Sequence, residues 1–143
     1  MRDNGGILIA HLKDRTQGDS IVRTMSDLFE IPVEAIAELE AANETTTLPY
    51  QIVQRPTGFV TTVEIYAGAD GLPSVPSSDA GFALKLAQSL GSDVAIAKPD
   101  TNASWLVIHP DGSASEGIEL EADDNSILLS DVHPLPAGSV TFR

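Results

Sequence analysis

The amino-acid sequence predicts an α+β fold: a mixed or mainly antiparallel sheet with helices packed on one face. Three observations predict it. Stretches with apolar residues at helical spacing alternate with short β-branched runs along the 143 residues. Between Ser78 and Leu120 a helix and three strands follow one another, with a turn signal at most junctions. At 42% hydrophobic, the chain has globular composition, and its length suits a single domain over residues 1–143 with its own core.

Taken in order, Ile7-Leu8-Ile9-Ala10-His11-Leu12 reads as a buried strand from its β-branched start, with a short helix as the alternative. Lys13 to Gly18 connects it to a helix capped by Asp19 or Ser20. Ile21, Val22, Met25, Leu28 and Phe29 form the apolar stripe of that helix. Pro32 breaks the pattern and opens a second helix carrying Val33, Ile36, Ala37 and Leu39, which fades at Asn43. Glu44 to Thr47 is a polar loop. Tyr50 to Gln54 is a strand, Arg55-Pro56-Thr57-Gly58 a hairpin loop, and Phe59 to Ala67 a long returning strand. On that strand Phe59, Thr61, Val63, Ile65 and Ala67 share one face. Gly68 to Ser77 is a Pro- and Gly-rich loop.

Ser78 or Asp79 caps the next helix, whose apolar face is Phe82, Leu86 and Leu90 with Ala83 and Ala87; Gly91 ends it. Val94 to Ala97 is a buried strand. Trp105-Leu106-Val107-Ile108 is apolar at every position, as a strand covered on both faces must be. Pro110-Asp111-Gly112 turns the chain into a strand whose Ile118 and Leu120 are expected inside, with Glu119 and Glu121 on a wet, acidic face. Asp123-Asp124-Asn125 turns it again. Ile127 to Leu129 and Val140 to Phe142 are short C-terminal strands. In element order the first six elements resemble a ferredoxin-like, split βαβ arrangement with extra C-terminal strands, a resemblance that implies no function.

Charge carries the most information about partners. Twenty-one acids face 8 bases, for a net charge of −13. No Lys or Arg stands between Arg23 and Arg55, nor between Lys98 and Arg143, while acids recur in both runs. Such a surface repels nucleic acid and anionic lipid and attracts cationic proteins. Met25 to Glu40 resembles the two-helix core of phage-repressor-like domains. Its second helix, however, carries Glu34, Glu38 and Glu40 and no base, the wrong charge for phosphates. Asp19-Ser20-Ile21 faintly resembles the Asp-Ser-Leu of acyl carrier proteins, and Ser20 serves better as a cap.

Chemistry-bearing motifs are sparse. His11, His109 and His133 are widely spaced and make no metal-binding pattern, so no metal and no cofactor is expected. Gly112-Ser113-Ala114-Ser115-Glu116-Gly117 lacks the spacing of a nucleophile elbow, and no phosphate loop is present. With Cys 0, disulfides and thiolate sites are out. The N-terminus carries no signal pattern, and a soluble, cytoplasmic protein is expected.

The resulting expectation is a small acidic, non-catalytic protein-binding domain. Its sharpest form is an immunity protein or inhibitor that covers the basic site of a toxin or nuclease. Glu116, Glu119, Glu121, Asp123 and Asp124 are the expected contact residues, with Glu34 and Glu38 second. A small enzyme or ligand-binding domain is the alternative, and an assembly subunit pairing through a free strand edge is a third reading.

Overall fold

The computed structural model describes residues 7–66, 75–76, 78–98 and 103–142. The expected Gly68–Ser77 loop lies almost wholly outside them, as do Ala67, Pro99 and Asp100. Nine strands and two α-helices form a mixed α+β fold. The strands are β1 (Ile7–Leu12), β2 (Ile36–Glu38), β3 (Leu48–Gln54), β4 (Thr57–Gly58), β5 (Thr61–Tyr66), β6 (Val94–Ala97), β7 (Ser104–Ile108), β8 (Ala114–Ala122) and β9 (Ser126–Pro134). The helices are α1 (Gly18–Phe29) and α2 (Asp79–Leu90). The sheet runs β2-β3-β5-β1-β6-β7-β8-β9-β4, antiparallel except at its two ends, where β2 pairs with β3 and β4 with β9 in parallel.

Both helices lie on one face. Alternation along β1 sends Leu8, Ala10 and Leu12 to that side. There they meet Ile21, Met25 and Phe29 of α1 and Phe82, Ala83, Leu86 and Ala87 of α2. Phe82 is fully buried at the centre, with the Phe29 ring 6.3 Å away. The ends of α2 follow the sequence: Ser78 Oγ accepts from the Gly81 N–H, and Gly91 takes the left-handed conformation at φ 66°. For α1 the expected caps move inward. Gln17 is the N-cap and makes no side-chain capping bond, while Asp19 and Ser20 stand in the first turn.

The opposite face has its own small core. Trp105 and Val107 of β7 join Phe59, Ala95 and Ile127, with Leu129 packed against them. Among the described residues no helix covers this group, and the sheet curls around it. β4 belongs to the connection between β3 and β5, so the row of strands bends until β9 meets the tip of its own hairpin. Phe59 N–H donates to Ile127 O, and Arg55 Nε donates to Asp123 O.

Several expectations are corrected. Val33–Ala35 and Leu39–Ala41 are single turns of 3-10 helix, and the β2 strand stands between them. The second helix, and with it the helix-turn-helix resemblance, does not form. Ile36, Ala37 and Glu38 find pairing partners in Leu48, Pro49 and Tyr50. A helix there would be short, with Glu34 and Glu38 repelling across one turn. Val140 to Phe142 is not a strand; Val140 and Phe142 pack on the helix-side core from irregular backbone. Phe59 leaves the face of Val63 and Ile65, because Gly58 at φ 80° and the pairing with β9 redirect the backbone before β5 begins.

Candidate functional site

The sequence-derived contact residues fall into two places. Glu116, Glu119, Glu121, Asp123 and Asp124 lie on β8 and its turn into β9. Glu34 and Glu38 lie at β2, the other end of the row of strands, and do not join them.

The first group is built on an arm. Among the described residues β7 pairs with β8 from Ala114 to Ile118, the Glu119 N–H still donates to Ala103 O, and β8 goes on to Ala122 beside β9. Every residue from Ile118 to Asn125 is exposed. Ile118 and Leu120, expected inside, are 48% and 67% exposed. α2 packs against β1, β6 and β7, and α1 against α2, away from this stretch. Two irregularities in the β8–β9 register also shift the alternation. Glu119, expected on the wet face, turns inward far enough for its Oε1 to accept from the Trp105 indole at 3.0 Å.

Each of the other arm acids but one has a local role. Glu121 accepts from the Ser126 hydroxyl, and Asp123 Oδ1 accepts from the N–H groups of Asn125 and Ser126. These bonds shape the turn, where the Arg55 guanidinium also donates to the backbone oxygen of Asp123. Among the described residues, no Lys or Arg side chain forms an ion pair with Glu119, Glu121, Asp123 or Asp124. Glu116 differs. Lys98 donates to it, which holds its carboxyl below the usual carboxylate range, and His133 Nε2 stands 3.8 Å from its second oxygen. It lies at the root of the arm and is already neutralised.

A second constellation was not anticipated. His109 Nδ1 lies 2.8 Å from Asp93 Oδ1, and His109 Nε2 lies 2.8 Å from Ser115 Oγ. The sequence signal for it was present: His109 and Ser115 flank the Pro110–Gly112 turn, and in the β7–β8 hairpin His109 stands opposite Ser113 and reaches Ser115 on the diagonal. This is the connectivity of a Ser-His-Asp relay, with exposure reversed. Ser115 is 6% exposed, in mid-ladder between Val107 and Pro134, while the Asp93 side chain is 43% exposed. A nucleophile needs an approach and oxyanion donors beside it. Here the network ties the ends of β6, β7 and β8 together. Among the described residues no group of three metal-binding side chains occurs, and no helix is long and apolar enough to cross a membrane.

A third cluster lies beneath the hairpin tip. Arg55 Nη1 donates to Thr62 Oγ1, and the Thr62 hydroxyl lies 2.7 Å from His11 Nδ1. The His11 ring also packs against Trp105, centroids 5.3 Å apart. Burial, and then the Arg55 charge, lower the His11 pKa from 6.5 to about 4. The residue is a neutral structural member.

Comparison of the chain with protein-family models, with curated proteins and with solved structures gives no match.

Proposed function

We propose that this protein is a small acidic binding domain that docks through the Ile118–Asn125 arm onto a basic protein. In the sharpest form of the reading it is an immunity protein or inhibitor covering the cationic site of a toxin or nuclease. The observation that carries it is the arm itself. Four carboxylates without a cationic partner among the described residues stand beside two exposed apolar side chains, Ile118 and Leu120.

The two kinds of residue do different work. Carboxylates steer a cationic partner and fix its orientation, with an effect that salt weakens. Apolar side chains at the centre of a contact supply the energy that survives salt. Glu34 and Glu38 repeat the pattern beside exposed Val33 and Leu39, as a separate and secondary surface. The scaffold we propose is ferredoxin-like, from the antiparallel order β3-β5-β1-β6 with α1 and α2 in the crossovers. A cytoplasmic setting completes the proposal and suits a chain with Cys 0.

The test is capture from source lysate on immobilised protein at rising ionic strength. Wild type is compared with the Glu121→Gln/Asp124→Asn and Ile118→Ser/Leu120→Ser variants. The expected partner is basic. Its affinity falls by about tenfold or more in each variant, and its salt dependence shrinks in the first one only. Capture of nothing at low ionic strength, of proteins that are not basic, or of the same proteins by all three forms overturns the reading.

A further inference from the structure

A cavity of about 850 Å³ opens on the helix side of the sheet, at the N-terminal end of α2. Its floor is the sheet beyond the short β1–β6 pairing, which covers only Val94 and Ala95: Ile96 of β6, Leu106 of β7 and Glu116 of β8 line it. Asp79 is a wedge at its edge, with Oδ1 accepting from the Ile9 N–H at 3.0 Å. Beyond that wedge the walls are apolar: Ile96 of β6, Leu106 of β7, Ala80 of α2, and Leu135 and Val140 of the C-terminal segment. That segment crosses the cavity outside the sheet, tied by the Leu135 N–H to Ala114 O and by a turn at Pro136.

Among the described residues one cation lines the cavity. Lys98 sits at the end of β6 with its ammonium on Glu116, and both side chains are partly exposed. Glu116 has a second neighbour in His133. An incoming anion can therefore take Lys98 while Glu116 turns toward the imidazole. The first turn of α2 faces the same space, and there the Asp79 carboxylate already complements the helix dipole, so Lys98 is the group left for an anion. The size lies within the range of small-ligand sites, roughly 300–1,000 Å³.

From this geometry we infer that the cavity binds a small amphipathic carboxylate. Its hydrocarbon body lies between Ile96, Leu106 and Val140, and its carboxylate rests on Lys98. The site is separate from the docking arm, and either can fail without the other.

The experiment is a titration of the protein with decanoate, followed by amide NMR shifts. Decyltrimethylammonium and methyl decanoate serve as cationic and neutral counterparts. Decanoate gives saturable shifts centred on Ala80, Ile96 and Val140, and the cation gives none there. Lys98→Gln weakens decanoate by about tenfold, as loss of a charged hydrogen bond does. Glu116→Gln strengthens it, because the competing carboxylate is gone, and this sign separates ligand binding from a purely structural ion pair. Thermal unfolding of both variants verifies that they fold. Non-saturable shifts, equal binding of the three probes, or a Glu116→Gln variant that binds no tighter than wild type overturns the inference.

Discussion

Acidification through the histidine range should destabilise this protein through His11. The imidazole is held neutral beside Arg55 and Trp105, with a pKa of about 4 against 6.5 for a free side chain. Its folded-state pKa is depressed, so the stability it contributes is complete above 6.5. As pH falls through that value the unfolded chain takes up a proton that the native state refuses. The loss continues until the native state also protonates, near pH 4. Integrating the 2.5-unit difference between 6.5 and about 4 gives a loss of about 2 kcal/mol by about pH 5 and about 3 kcal/mol near pH 4.

A protein of net charge −13 also relieves self-repulsion on acidification, which pushes the other way. The measurement is therefore a difference. Urea unfolding of wild type and of His11→Gln is compared from neutral pH to about pH 5. Gln keeps an acceptor for Thr62 and cannot titrate, so self-repulsion common to both chains cancels. Wild type should lose about 2 kcal/mol relative to the variant over that interval. Curves that stay parallel within about 0.5 kcal/mol would refute the assignment of His11 as a half-buried neutral group. An imidazole carbon resonance of His11 that titrates near its free value would refute it independently.

Two further outcomes follow from packing. Gly58→Ala should cost about 2–4 kcal/mol in urea unfolding, since φ is 80° and a Cβ would stand 2.0 Å from Ile127 O. The Phe59 amide should then lose hydrogen-exchange protection, because its bond to Ile127 O closes the sheet onto β9; unchanged protection would contradict that closure. Phe82→Ala, at a position with 0% exposure, should cost about 3–5 kcal/mol by the same assay. A loss under about 1 kcal/mol would mean that the core does not centre on that ring.

Legibility varied with how local the cause was. α2 could be read end to end, since its cap, its apolar face and Gly91 all lie within the helix or beside it. The strand from Trp105 to Ile108 showed its double burial in its own composition, and it does separate the two cores. The stretch after Pro32 was ambiguous. Val33, Ile36, Ala37 and Leu39 satisfy a helical spacing, and only Leu48 to Tyr50, lying alongside, turns Ile36 to Glu38 into a strand. The candidate site was half legible in the same sense. The acids of β8 and its turn were visible as residues, but the exposure of Ile118 and Leu120 was not, because it depends on where the helices stop.

The sequence by itself determined the α+β class, the position of the two α-helices and of most strands, and the acidic run with no Lys or Arg between Lys98 and Arg143. Periodicity, caps and charge are properties of neighbouring residues, and they act before the chain has a shape. Only the tertiary structure decided that the sheet closes on its own hairpin, that among the described residues Glu116 has an ion-pair partner while the arm acids beyond it have none, and that the C-terminal segment roofs a cavity over β6, β7 and β8. Each of those depends on partners far apart in the chain, such as Gly58 with Ile127, Lys98 with Glu116, and Ile9 with Asp79. The pairing energy of such contacts exists only once folding has brought the partners together.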